Sequence, residues 1–221
     1  MRIRFSILVD ALLALAFICV MVSPLGLPEF HEIVGTCIFG LAIVHALLNL
    51  KRIKGLIKAK RALAKIELAL DLLLALGIVL MIASALVLSR YVFSWLPAIP
   101  GSWWARTVHM CCSAWLFCLA FAHLGLHLKE VAGKLYKNRI ADWTCRVIWG
   151  CALLFGTYAA IQLLFFDYLT FNVRFAAFGA DLPLAFQTTG YASIAIAVTG
   201  IAHYLYMPGS KLSSKRKKVE E

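Results

Sequence analysis

The chain has 221 residues, of which 62% are hydrophobic and only 15% charged, and its mean hydropathy is +0.86. A soluble domain carries about 25% charged residues, so a water-soluble globule is excluded and an integral membrane protein is implied. A net charge of +11 would ordinarily raise nucleic acid as a partner. Here the basic residues are sorted between apolar runs, which is a membrane pattern and excludes that reading.

Six runs approach or exceed the ~20 apolar residues needed to cross hydrocarbon: roughly 5–22, 31–50, 67–89, 107–128, 145–166 and 189–207. They are continuously apolar rather than alternating with period two, which excludes a β-barrel and predicts an all-α, six-span protein. The first run has the length of a signal peptide, but it carries Asp10, ends in VSPLGLP and lacks a small-residue cleavage site. It is read as a span.

With the N-terminus placed in the cytoplasm, Lys and Arg outside the apolar cores number nineteen inside (1–4, 51–65, 129–146 and 208–221). Outside there are three, Arg90, Arg106 and Arg174. The asymmetry predicts a multi-pass membrane protein with both termini cytoplasmic.

In chain order, the first span stops at Pro24 and SPLGLPEF turns it back. The second runs from His31 past His45 to Asn49. The basic loop KRIKGLIKAKRALAK follows, expected to be partly helical and to lie on anionic headgroups. The third span carries Glu67 and Asp71 near its inner end and finishes at Arg90. The outer loop YVFSWLPAIPGSWWAR supplies Trp95, Trp103 and Trp104 for the headgroup belt. The fourth span has His109 at its start, His123 near its end and His127 one turn on. A second basic loop, the fifth span, a long outer segment (167–188) and the sixth span with His203 come next. The tail SKLSSKRKKVEE is expected to be disordered.

The histidines organise the reading. His31 and His45 are fourteen residues apart, as are His109 and His123. Fourteen helical residues rise roughly 21 Å and return to within about 40° of the starting face, and in a left-handed bundle of ~3.5 residues per turn the match tightens. The second and fourth spans run parallel, so His31 meets His109 on the outer side and His45 meets His123 on the inner side. Intramembrane histidines are costly and mark function by default. Each pair offers two imidazoles, too few for a zinc site of four ligands, whereas a haem needs only two axial ligands from the protein. Two stacked b-type haems are therefore expected. Gly35, Gly40, Ser113 and Ala114 are small enough to admit a flat macrocycle, although such residues are common in any membrane bundle.

His127 competes with His123 as inner ligand. The fourteen-residue register favours His123, which leaves His127 as a propionate partner, a quinone hydrogen-bond donor or a surface histidine. His203 stays open between ligand, inner-site helper and snorkelling residue. Arg90 and Arg106 sit where outer haem propionates would need a cation, and Lys51, Arg52 and Lys129 are candidates at the inner side. The seven cysteines contain no C-x-x-C or C-x-x-C-H pattern and read as small apolar filler.

These residues carry a resemblance. H-x13-H followed by x-x-x-N (His31, His45, Asn49), then S-R-Y-V-F (89–93), then R-x-x-H-x13-H-x-x-x-H (Arg106, His109, His123, His127) is similar to the two-haem membrane cytochrome b superfamily. The likeness is greatest to short bacterial members catalogued as a domain of unknown function. Relatives include the cytochrome b subunits of hydrogenases and formate dehydrogenases. The resemblance covers roughly 5–130. It implies a four-helix haem core there, with His31, His45, His109 and His123 as ligands and quinone-linked electron transfer. Residues 131–207 then add two spans and 208–221 a basic cytoplasmic tail.

No G-x-G-x-x-G opens a helix after a strand, so no nicotinamide or flavin site is expected. Electrons would pass to quinone, a soluble carrier or a redox partner subunit, with membrane lipid around the bundle. The outer segment DYLTFNVRFAAFGADLPLAF is a candidate docking face or quinone-pocket wall, or a plain interfacial loop. Asp10, Glu67 and Asp71 are candidate proton relays, or carboxylates paired with lysine near the basic surface. Two other classes stay open: a cofactor-free membrane anchor with hydrogen-bonding histidines, and a divalent-metal transporter.

Overall fold

The computed structural model describes residues 2–22, 27–97, 103–132, 139–172 and 182–219, with side chains placed for 5–22, 27–97, 103–128, 139–172 and 182–206. Arg174, the middle of the outer segment (173–181) and the Lys129 side chain fall outside these. All the regular structure among the described residues is helical, in the order α1 (Arg2–Val22), α2 (Pro28–Lys58), α3 (Ala62–Leu88), α4 (Trp103–Ala132), α5 (Arg139–Gln162), α6 (Phe165–Leu169) and α7 (Leu184–Val219). Six of them, all but α6, are long and apolar enough to cross a membrane. This is the all-α, six-span membrane architecture expected.

The helices outrun the apolar runs for local reasons. α2 begins at Pro28, three residues before His31, because proline's fixed φ and missing N–H suit a first helical turn. It also continues through KRIKGLIK to Lys58, so the basic loop is mostly a helical extension, and only 59–61 break before α3. α7 likewise continues through Pro208 into the tail as far as Val219. The expectation of disorder there is corrected: propagating a helix from an anchored span costs far less than nucleating one.

α4 is the middle of the molecule. Its Met110, Ala114, Phe117 and Phe121 recur at helical spacing on one face. That face joins a buried core with Val22 of α1, Ala159 and Ala160 of α5, Phe165 and Tyr168 of α6, and Tyr191, Ile194 and Ala195 of α7. Phe117 is fully enclosed and meets the rings of Phe17, Phe121, Phe165 and Tyr191 at 4.7–5.9 Å between centroids. Leu164, at φ 53°, makes the sharp corner after α5 that turns Phe165 into this core. α7 packs along both α4 and α5 and also reaches α1. Thr199 Oγ1 donates to the Phe121 carbonyl at 3.1 Å, and Trp149 Nε1 to Ala197 O at 3.2 Å. The two C-terminal spans therefore share one core with α1 and α4.

Opposite this core, α1, α2, α3 and α4 surround a cleft of about 1020 Å³. α2 has no fully buried residue. It leans on α1 and α3 and stands off from α4, leaving the cleft between them.

Candidate functional site

The cleft is lined by two matching stripes. On α2 the lining residues include Pro28, His31, Gly35, Ile38, Ala42, His45, Asn49 and Arg52; on α4 they include Arg106, His109, Ser113, Leu116, Ala120, His123 and His127. Both stripes step by three and four alternately, the 3.5-residue repeat of a left-handed bundle. Small residues occupy the levels next to each histidine pair, Gly35 with Ser113 and Ala42 with Ala120, while Ile38 and Leu116 fill the middle level. A Cβ added to Gly35 would meet nothing within 4 Å.

The histidines meet in the expected pairs. His31 and His109 have ring centroids 6.0 Å apart, and His45 and His123 are 6.1 Å apart. A metal–nitrogen bond of ~2 Å on each side, plus ~1 Å from each nitrogen to its ring centre, sums to ~6 Å. The gap is thus the width that one metal between two imidazoles needs, with α2 and α4 too far apart to close it by themselves.

Each ring is held from behind. His45 Nδ1 hydrogen-bonds Asp10 Oδ1 of α1 at 2.7 Å. His123 Nδ1 lies 2.9 Å from Asp71 Oδ1 of α3, and Asp71 Oδ2 lies 3.7 Å from Arg52 Nη2. His109 Nδ1 is 3.4 Å from the hydroxyl of the buried Ser84, whose own proton goes to Met81 O at 3.0 Å. His31 hydrogen-bonds the backbone of Val20. Partners of this kind fix the tautomer and aim of a ligating imidazole and leave the other nitrogen available. Asn49 donates to the His45 carbonyl at 2.9 Å, with its amide nitrogen 3.5 Å from His45 Nε2.

The remaining predicted residues line the same cleft: His127 at the His45–His123 end, Arg90 and Arg106 at the other. His127 packs on His123 at 4.8 Å between centroids. Its Nε2 is buried without a hydrogen-bond partner, as is Arg52 Nε. Polar nitrogens of Arg52 and His127 at one end of the cleft are thus buried without a partner, which is costly unless a polar group binds there.

Comparison with family models, with curated proteins and with solved structures finds no match to this chain.

Several smaller expectations are corrected. Asp10, Asp71 and Glu67 pair with His45, with His123 and Arg52, and with the Tyr206 hydroxyl respectively, rather than with lysine. Ala114 faces the packed core and Gly40 lies exposed outside the cleft, so neither admits a macrocycle. His203 sits behind α4, with Nδ1 3.3 Å from Gly125 O, and does not line the cleft.

Sequence reasoning missed Glu32. Its carboxylate accepts from Ser89 Oγ (2.7 Å) and from the backbone N–H groups of Arg90 (2.8 Å), Tyr91 (3.0 Å) and Val92 (2.9 Å). Ser89 Oγ in turn accepts from Phe93 N at 3.0 Å. The S-R-Y-V-F stretch is therefore a nest of amides closed on an acid adjacent to His31. An acid next to a candidate ligand at a span end was the available signal. Among the described residues, no three His, Cys, Asp or Glu side chains converge on one metal-ion position.

Proposed function

We propose that the chain is a transmembrane electron-transfer cytochrome whose α2 and α4 hold two b-type haems, one above the other. The observation that carries the reading is the pair of imidazole gaps, 6.0 and 6.1 Å, opening on one cleft. The residues fit the group on three further counts. Gly35 leaves open space on the α2 wall. Each imidazole is oriented by a partner on another helix or by backbone. The unpartnered nitrogens of Arg52 and His127 at one end, the latter as the Nε2–H tautomer, and Arg90 and Arg106 at the other, suit propionate carboxylates.

A haem with two imidazole ligands supplies a one-electron couple. In this reading His31 and His109 hold one site and His45 and His123 the other. The helical rise of ~21 Å between them spans most of the ~30 Å hydrocarbon layer. The core of α4 with α5, α6 and α7 keeps the α4 histidines in register, and α1 and α3 supply the groups behind the rings. The positive-inside asymmetry supports a cytoplasmic His45–His123 end, and the family resemblance supports a bacterial inner membrane. Quinone or a redox partner subunit exchanges electrons at one or both ends.

The test is a reduced-minus-oxidised spectrum with a haem assay on protein purified in detergent. Two low-spin bis-imidazole haems per chain are expected. Colourless protein from haem-supplied cells would overturn the reading, and metal analysis of that protein would then separate a metal transporter from a cofactor-free anchor.

A further inference from the structure

The two histidine pairs are built alike on the cleft side and differently behind. At the His45–His123 end both rings have a carboxylate at Nδ1, Asp10 at 2.7 Å and Asp71 at 2.9 Å. At the His31–His109 end the partners are neutral: the backbone of Val20 and the hydroxyl of Ser84. The acid at that end, Glu32, is next to His31 in sequence, but its oxygens are occupied by Ser89 and three backbone amides.

Among the charged side chains that line the cleft itself, the balance points the same way. Two carboxylates face the first pair, against one guanidinium, Arg52, 3.7 Å from Asp71. Two arginines, Arg90 and Arg106, line the cleft at the second pair, against one carboxylate turned into its amide nest. A carboxylate behind an imidazole raises the basicity of the ligand. A more basic ligand and nearby negative charge both stabilise the oxidised iron and disfavour adding an electron.

We infer that Asp10 and Asp71 are positioning residues that set the His45–His123 site at a lower reduction potential than the His31–His109 site. The inference rests on the haem reading above. It gives the molecule a direction: in singly reduced protein the electron settles at the His31–His109 end, that site being reduced as the other is oxidised, with no further reactant. Electron flow is then downhill from the end bearing the basic loops to the opposite face.

Redox potentiometry on the purified holoprotein, followed in the haem bands, tests this. Wild type should titrate with two midpoints. His31→Ala, which removes the Val20-backed ligand, should leave the lower one alone. Asp10→Asn and Asp71→Asn keep side-chain size and remove charge. In either variant the lower midpoint should move upward while the upper one stays, and Asp10→Glu should stay near wild type. One Asn variant that keeps both haems is sufficient. Two bound haems whose lower midpoint is unmoved by both Asn changes would overturn the inference and leave the haem reading standing. A His31→Ala protein that titrates at the upper midpoint would do the same. Protein without haem would overturn both.

Discussion

Ser89 Oγ donates to the Glu32 carboxylate at 2.7 Å, and that bond ties the far end of α3 to the turn of α2 that carries His31. Three successive backbone N–H groups close on the same carboxylate. They belong to the turn just past α3, so one acid both satisfies this turn and sets the splay of the two helices. Hydrogen bonds to a charged acceptor are worth about 1.5–3 kcal/mol each where water is excluded and less at this partly exposed site. Glu32→Ala should therefore lower stability by roughly 1–3 kcal/mol and, on the proposed haem reading, loosen the haem at His31–His109 more than the other. Thermal melting followed by helical circular dichroism, and haem retention per chain on gel filtration, check both parts. Equal loss of the two haems would contradict the placement.

Removing one imidazole should empty one site and spare the other, because the pairs lie ~21 Å apart along the helices. His45→Ala and His109→Ala should each halve the haem per chain, measured by haem extraction. His45→Ala also leaves Asp10 without its 2.7 Å partner, so it should be the less stable of the two. Loss of both haems in each variant, with helix content intact, would argue against two independent sites.

The spans and the pairing of the four histidines were legible in the sequence because each follows from a length or a period along a helix. A hydrophobic run of given length must cross the membrane, and a repeat of fourteen must return to one face. Contacts between residues far apart in the chain have no such period. Nothing in the spacing tells that Asp10 of α1 reaches His45, that Ser84 stands behind His109, or that Glu32 closes the turn at 89–92. The placement of α7 against α4 was equally hidden. It depends on Gly125, where a Cβ would come 2.3 Å from Thr199 O, and small-residue contacts leave little mark on hydropathy. Gly40 and Ala114 show the reverse error: small residues were visible, but their facing was not.

For the proposed site at the His45 end, His127 is the alternative ligand to His123, and the geometry separates them. His123 faces His45 at 6.1 Å, whereas His127 meets His123 edge-on one turn further on. His127→Ala should keep two haems per chain, with weaker retention of the one at that end through loss of a donor. His123→Ala should lose that haem outright. The reverse result, measured by haem stoichiometry and the low-spin spectrum of each variant, would move the ligand to position 127.

Gly35 and Gly125 offer a paired test of what the cleft is for. A side chain at Gly35 enters open space between α2 and α4, since nothing lies within 4 Å of its Cβ position. If the cleft were only a packing gap, Gly35→Leu would fill it and leave the protein unharmed. As a cofactor wall, the same change should leave helix content and melting of haem-free protein near wild type while sharply reducing haem uptake. Gly125→Ala makes the opposite prediction. Its methyl would press on Thr199 O at 2.3 Å and Ala202 Cβ at 2.9 Å, forcing α7 off α4 at a cost of about 1–3 kcal/mol. That variant should melt earlier with or without haem. Titrating haem into both variants, with melting measured before and after, separates a blocked site from a weakened bundle. A Gly35→Leu protein that still takes up two haems would remove the α2–α4 cleft from consideration.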